Sequence, residues 1–335
     1  MKRSLISNIL LSLVSVFFVL FCAEIIMRFT WEMGGWVKRP IYRKSSNPYL
    51  RYELIPGAKS GGISINSDGF RGREYSIAKP DGTLRIIMLG DSETFSFMLP
   101  EDDSLPKQLE NLLNKKFHFL RYEVLNFGVE GYSTFQELEM FKTKGIKYNP
   151  DLVILNYVLN DPEPGEYYFN KTFLMRHSAL VRYFTYRFKK ALIIRERKRL
   201  NIRTEVDNYY YYHQPKYFIP LKNAILEMAD MVQQNGQKLV IVIFPTSSIA
   251  VKDFKENYPY WPLHKLVKSI GSGNIIFIDL IDEFNRLGMT PQSVSINYAY
   301  DESHKNARAL GVSAQYIYEA LRARGLIPEN DKALY

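Results

Sequence analysis

The chain has 335 residues, 46% of them hydrophobic and 24% charged, with a formal net charge of +9. That length supports one large or two modest domains with a proper core, and the balance excludes wholesale disorder. The charge favours anionic partners such as membrane surfaces or acidic polymers; no zinc-finger, helix-turn-helix or RNA-binding pattern accompanies it, so no nucleic-acid partner is expected.

Leu5 to Met27, "LISNILLSLVSVFFVLFCAEIIM", is mostly apolar and matches the ~20 residues a membrane helix needs. A cleaved signal peptide wants small residues at its cleavage site, and Phe21-Cys22-Ala23 places a bulky Phe at the outer small position. The same Phe21 argues against a lipoprotein site at Cys22. An uncleaved anchor is therefore favoured, and a buried soluble helix is the poorest reading of so Phe-rich an N-terminal segment. Cys22 is the only cysteine, which excludes an intramolecular disulfide and any cysteine-based metal cluster. Lys2, Arg3 and the free amine favour a cytoplasmic N-terminus, although Arg28, Lys38, Arg39, Arg43 and Lys44 follow the span. The expected arrangement is a single pass through the cytoplasmic membrane, with the body extracytoplasmic on the periplasmic side. Trp31 and Trp36 suit an interfacial aromatic belt or, equally, ordinary packing.

Residues 28–80 read as a linker and a small irregular or β lobe, rich in turn formers at "SINSDGFRGREY" (64–75) and "KPDGT" (79–83). A larger domain follows over 81–328. Five short apolar runs punctuate it: Arg85–Leu89, Tyr122–Asn126, Leu152–Tyr157, Lys238–Phe244 and Ile275–Leu280. Continuous runs suit strands buried on both faces of a parallel sheet. Helical patterns lie between them at Leu105–Lys115, Thr134–Lys144 and Pro220–Gln234, and such alternation predicts a doubly wound α/β domain. An insertion at about 162–218 breaks the rhythm, because some eighty residues separate the third and fourth strands. Within it, "FLMRHSALVRYFTYRFKKALIIRERKRL" (173–200) reads as a basic, aromatic helix or helix pair, and "NYYYYHQPKYF" (208–218) follows. Its charges are either a solvated face, a cap over the site, or a surface touching anionic lipid.

Ligands of open α/β sheets bind beyond the carboxyl ends of the strands, so the residues there matter most. The first strand ends in Gly90-Asp91-Ser92, the second in "NFGVEGYST" (126–134), and the third in "VLND" (158–161). After the fifth strand, "DESHKNARALG" (301–311) holds Asp301 three residues before His304, close enough for one local turn to orient both. A serine hydroxyl needs a base to become a nucleophile, and the imidazole needs a carboxylate to fix its tautomer. Ser92, His304 and Asp301 can supply these. An oxyanion hole could draw on the Ser92 amide, a glycine amide after the second strand, and the Asn160 side chain. The other histidines fare worse: His118 and His177 read as packing or surface, and His213 and His264 have no acid or cysteine at ligand spacing. Asp91 reads as a hydrogen-bonding corner residue, and Asp161 as a local turn cap.

These four blocks, in this order, resemble the SGNH/GDSL hydrolase superfamily over roughly residues 84–325. "LGDSETF" resembles the nucleophile block (Ser92), "NFGVEGYST" the glycine block (Gly131 rather than Gly128), "VLND" the asparagine block (Asn160, with Val158 in place of its first glycine), and "DESH" the final block (Asp301 and His304). "NSDGFRG" (66–72) looks like a segment of membrane-anchored bacterial members. The resemblance implies a flavodoxin-like three-layer α/β/α sandwich and a catalytic set of Ser92, Asp301 and His304. It also implies an oxyanion hole of Ser92, Gly131 and Asn160, with no metal and no cofactor. The function implied is a serine ester hydrolase working through an acyl-enzyme, deacylating a cell-envelope or exported polysaccharide. An O-acyltransferase on the same site is the alternative, ranked second because a single span offers acyl groups no route across the membrane. A catalytically silent scaffold is the third reading. An acylated glycan and, through the N-terminal helix, a membrane are the expected partners.

Overall fold

The computed structural model describes residues 2–117, 120–164, 172–248, 250–255, 257–271, 273–298 and 301–328, without the side chains of residues 2–4, 36, 301 and 302. The chain divides into two compact units, 1–53 with 166–201, and 54–165 with 202–335.

In the first unit, helix α1 (Lys2–Thr30) contains a 26-residue stretch, Leu5–Thr30, with a mean hydropathy of 2.7 over its most apolar window, none of which is buried. At 1.5 Å per residue this is roughly 39 Å, long and apolar enough to cross a ~30 Å hydrocarbon core. Past its end, a short strand pair at Tyr42–Lys44 and Tyr52–Leu54 carries the Arg43–Glu53 ion pair at 2.8 Å. Trp31 packs edge-on against Tyr183, so its role within this unit is packing.

The second unit is built on five parallel strands: β1 (Thr83–Gly90), β2 (Arg121–Gly128), β3 (Leu152–Tyr157), β4 (Lys238–Ile243) and β5 (Ile275–Asp279). Their spatial order is β2-β1-β3-β4-β5, the flavodoxin-like order 2-1-3-4-5. The strands run where the apolar runs placed them, within two residues at each end. Ile86, Met88, Val124, Ile154, Val240 and Ile278 pack on one face with α3 (Leu105–Lys116). On the other face α4 (Thr134–Thr143) meets β1. This is the three-layer α/β/α sandwich expected from the sequence.

The insertion is a helix pair, α5 (Phe173–His177) and α6 (Ala179–Arg199), in the first unit. It continues as α7 (Glu205–Tyr212) and α8 (Pro215–Gln234) in the second, where α8 packs on β4 and α4. Helix α8 opens at Pro215 rather than Pro220, which lies inside it. Proline suits a first helical position, and Pro215 takes that place. Helices α9 (Trp261–Lys268), α10 (Leu280–Arg286) and α11 (Pro291–Val294) follow, then the antiparallel pair β6 (Ser295–Asn297) and β7 (Asp301–Lys305). Helix α12 (Ala307–Ala323) lies beside α3 and closes the first face with Leu310, Ala314, Ile317 and Leu321.

Candidate active site

Strand β1 leaves the sheet through glycine because the next turn presses back onto it. A Cβ on Gly90 would stand 2.1 Å from Thr94 Oγ1, and one on Gly128, its register partner on β2, 2.2 Å from the Phe95 amide nitrogen. Both glycines are therefore required for the four-residue helix α2 (Ser92–Phe95) to sit on the strand ends. Asp91 caps that helix: its Oδ1 accepts the Glu93 amide at 2.9 Å and its Oδ2 the Ser92 hydroxyl at 3.3 Å. The Asn156 side chain donates to Thr94 Oγ1 at 2.7 Å and ties the turn to β3. From the 66–72 block, the buried Arg71 guanidinium donates to the carbonyls of Phe95, Ser96 and Leu99 (2.9 Å to Ser96) and lies 5.0 Å from the Phe95 ring. Thus "NSDGFRG" clamps the exit of the Ser92 turn, a job its turn-rich composition did not announce.

Ser92, Asn160 and His304 line one cavity of about 240 Å³, together with Asp91, Tyr209, Phe244 and Thr246 among others. Asn160 is the exposed residue of an otherwise buried turn after β3, closed by the Asp161 amide donating to Val158 O (3.1 Å) and the Val158 amide to Asp161 Oδ2 (3.2 Å). Valine at 158 leaves that turn intact, and Asp161 is its cap. Gly131 lies outside the cavity lining, in an exposed turn after β2, with φ 73°, in the left-handed region that favours glycine. Asp301 begins strand β7, whereas a local turn was expected there; Asn297 pairs with it across β6 and β7. The Asp301 side chain lies outside the described residues. His304 sits in the same strand, its ring 5.2 Å from that of Phe97, its Nδ1 3.4 Å from Ser303 Oγ.

Two further contacts escaped the sequence. Glu93, next to Ser92, and Lys305, next to His304, form a buried ion pair at 3.1 Å, and the Lys305 amide donates to the same carboxylate at 3.3 Å. The Ser92 turn and the His304 strand are thereby fastened through the residues following each. Second, Asp91, Glu137 on α4 and Asp161 are buried, and the charge of Asp91 acts on the other two. Burial pushes Asp91 up to about 6, with Glu93 adding to the rise against the Glu93 amide. Glu137 rises well above its ordinary value through burial, then Asp161 and Asp91; Asp161 rises likewise through burial and Asp91. Neither Glu137 oxygen has a hydrogen-bond partner among the described residues. Among those residues no group of His, Cys, Asp or Glu is placed to hold a metal ion.

The remaining histidines separate clearly. His118 lies outside the described residues. His177 is an exposed helix-end residue. Buried His213 bonds Tyr209 O and Tyr157 OH, both at 2.7 Å, and burial first of all lowers it to about 4. Buried His264 does have an acid, Asp279, at 2.9 Å, fifteen residues away and beyond any local spacing. Of the tyrosine run, Tyr211, Tyr212 and Tyr217 are core, and Tyr209 reaches the cavity.

The parallel 2-1-3-4-5 sheet, with the first three blocks at its strand ends, is the fold that the resemblance to the SGNH/GDSL superfamily implies. No protein-family model and no curated protein matches the chain. Among solved structures it is similar to a catalytic mutant of an acetylxylan esterase from Geobacillus stearothermophilus (13% identity, 71% of this chain and 94% of that one, TM-score 0.45). It is also similar to a protein of the G-D-S-L family, described as lipolytic, from Desulfitobacterium hafniense (12% identity, 71% and 99%, TM-score 0.42). Likenesses this distant carry no argument about what this chain does.

Proposed function

We propose that this chain is a serine ester hydrolase. The observation that carries the reading is the meeting of Ser92, Asn160 and His304, from three sequence blocks, in one cavity. His304 takes the Ser92 proton as Oγ attacks the ester carbonyl, and Asp301 orients the imidazole. The Ser92 amide and the Asn160 side chain stabilise the oxyanion. Collapse expels the alkoxide, which takes the proton from His304, and leaves an acyl-Ser92. Water, deprotonated by His304, then attacks that ester; the acid departs and Ser92 regains its proton.

The cavity, about 240 Å³, falls below the ~300–1,000 Å³ of sites for drug-sized ligands, which favours a small acyl group such as acetyl. Tyr209 at its wall offers a face to a sugar ring, so the preferred substrate is an acetylated cell-envelope or exported polysaccharide. We assign residues 1–27 to a membrane anchor, 28–80 to the intervening lobe and 81–328 to the catalytic domain, placed outside the cytoplasm. Alkaline phosphatase fused after Tyr335 is expected to be active, since that reporter works only there.

The deciding experiment treats the purified chain with a fluorophosphonate and measures turnover of a short-chain aryl ester. Wild type is expected to label and turn over; Ser92→Ala is expected to lose both. Labelling retained in Ser92→Ala would place the nucleophile elsewhere.

A further inference from the structure

The first unit holds a second cavity, of about 330 Å³, lined by Arg28, Lys44, Ser46, Asn47, Arg176 and Arg182 among others. Its acids are already engaged. Glu24 accepts Arg28 at 2.7 Å and the amides of Ala179 and Leu180, both at 2.9 Å. Glu32 is buried between Lys44 and Arg182; burial raises it, and the two cations more than reverse that, leaving it below the ordinary range. Glu53, which faces Ser45 at 3.5 Å, pairs with Arg43. Arg176 is left with the Tyr49 hydroxyl at 3.4 Å and no acidic partner among the described residues. Counting Arg43, five cations therefore stand against three carboxylates here, and the cavity lining itself holds four cations and no carboxylate.

The surroundings say where such a cavity works. Arg28 belongs to the last turn of α1, the place where an apolar span meets the headgroup layer. Arg176 and His177 belong to α5, whose Phe173 is 65% exposed; on α6, Phe184 and Phe188 are 61% and 64% exposed between basic residues. Apolar side chains standing out beside cationic ones are the pattern of a surface lying in a lipid interface. A guanidinium with no carboxylate, between an ammonium and further guanidinium groups, is suited to phosphate oxygens.

We propose that this cavity binds the phosphate headgroup of an anionic phospholipid from the bilayer that α1 spans. The proposal rests on the anchor reading, and the two fail differently. Carbonate washing of membranes reports the anchor alone: release of wild type would remove the anchor and the site's access to lipid with it. The site is read by native mass spectrometry of the full chain in maltoside micelles doped with dioleoylphosphatidylglycerol or dioleoylphosphatidylcholine. Wild type is expected to retain the glycerol lipid about tenfold more than the choline lipid. Arg176→Gln is expected to lower that retention about fivefold, the weight of one basic residue at an anionic surface. Ser46→Glu, at an exposed position that folding does not need, is expected to do the same by putting a carboxylate at the mouth. Equal retention of the two lipids, or glycerol-lipid retention untouched by Ser46→Glu, overturns the site. Displacement of the lipid by millimolar inorganic phosphate would make it a soluble-anion site and overturn the lipid assignment.

Discussion

Burial raises the proton affinity of three carboxyl groups, Asp91 beside Ser92, Glu137 and Asp161, and the charge of Asp91 adds to the rise at the other two. Folding raises the affinity of Glu137 for its proton above that of the unfolded chain, where glutamate titrates near 4.5. The stability this supplies is fully present below about pH 4.5 and is lost as pH rises through the raised folded value. Glu137→Gln removes that loss. Its Tm advantage over wild type, followed by circular dichroism, should grow from about pH 4.5 to about pH 8. An advantage that is constant or shrinks with pH would mean Glu137 is not held neutral. Asn160 poses a separate question. Asn160→Ala removes one oxyanion donor and is expected to cost about 10²–10³ in kcat with KM little changed. A loss confined to KM would make Asn160 a substrate-binding residue instead. Ser92, Asn160 and His304 were legible because each lies in a short block ending or following a strand. Glu93–Lys305 and His264–Asp279 were not, since 212 and 15 residues separate the partners and no local pattern couples them.

At the scale of elements, the sheet was legible for a simple reason. Strands covered on both faces need continuous apolar runs, and the five runs between helical patterns are the five strands of the sheet. The 301–305 segment was misread because an acid and a histidine three apart fit a turn as well as a strand. Its pairing with β6 depends on residues on both sides of the segment. Arg71 was opaque for another reason, since backbone carbonyls that accept a guanidinium leave no trace in sequence. The clamp is testable. Lysine keeps the charge but, as a point donor on a flexible stem, cannot span three carbonyls. Arg71→Lys is therefore expected to slow aryl-ester turnover and fluorophosphonate labelling on the order of tenfold, through a displaced Ser92. A lower Tm with an unchanged labelling rate would make the clamp structural only. Farther from the site, at the opening end of the sheet, Arg85 donates to Glu123 at 2.6 and 3.0 Å, both side chains buried. Breaking such a pair from one side strands a charge, which typically costs about 3–5 kcal/mol.

For the whole molecule the open chemical choice is between water and a sugar hydroxyl as the acceptor of the acyl group. In the proposed mechanism both routes would pass through the same acyl-Ser92, with His304 as the base for either acceptor, so the proposed catalytic set does not discriminate. The surroundings of the acyl group do. Transfer requires the sugar to be held with its hydroxyl against the acyl carbon long enough to outcompete water, which demands a shaped acceptor surface. The cavity at Ser92 is about 240 Å³, and Asn160 at its rim is exposed to solvent. Filled by a small acyl group, it leaves room for water, which occupies only ~30 Å³ per molecule in the liquid. Among its lining residues Phe244 is buried, which leaves Tyr209 as the aromatic side chain beside His304 that a second sugar could meet. Hydrolysis is accordingly the expected outcome. The chain is incubated with an activated acetyl ester, with and without a deacetylated glycan, and both free acetate and glycan-bound acetyl are measured. Acetate release is expected to be equal in the two cases, with no acetyl on the glycan. Acetylation of the glycan with a matching fall in free acetate would reverse the ranking, and loss of that acetylation in Tyr209→Ala would locate the acceptor at this wall.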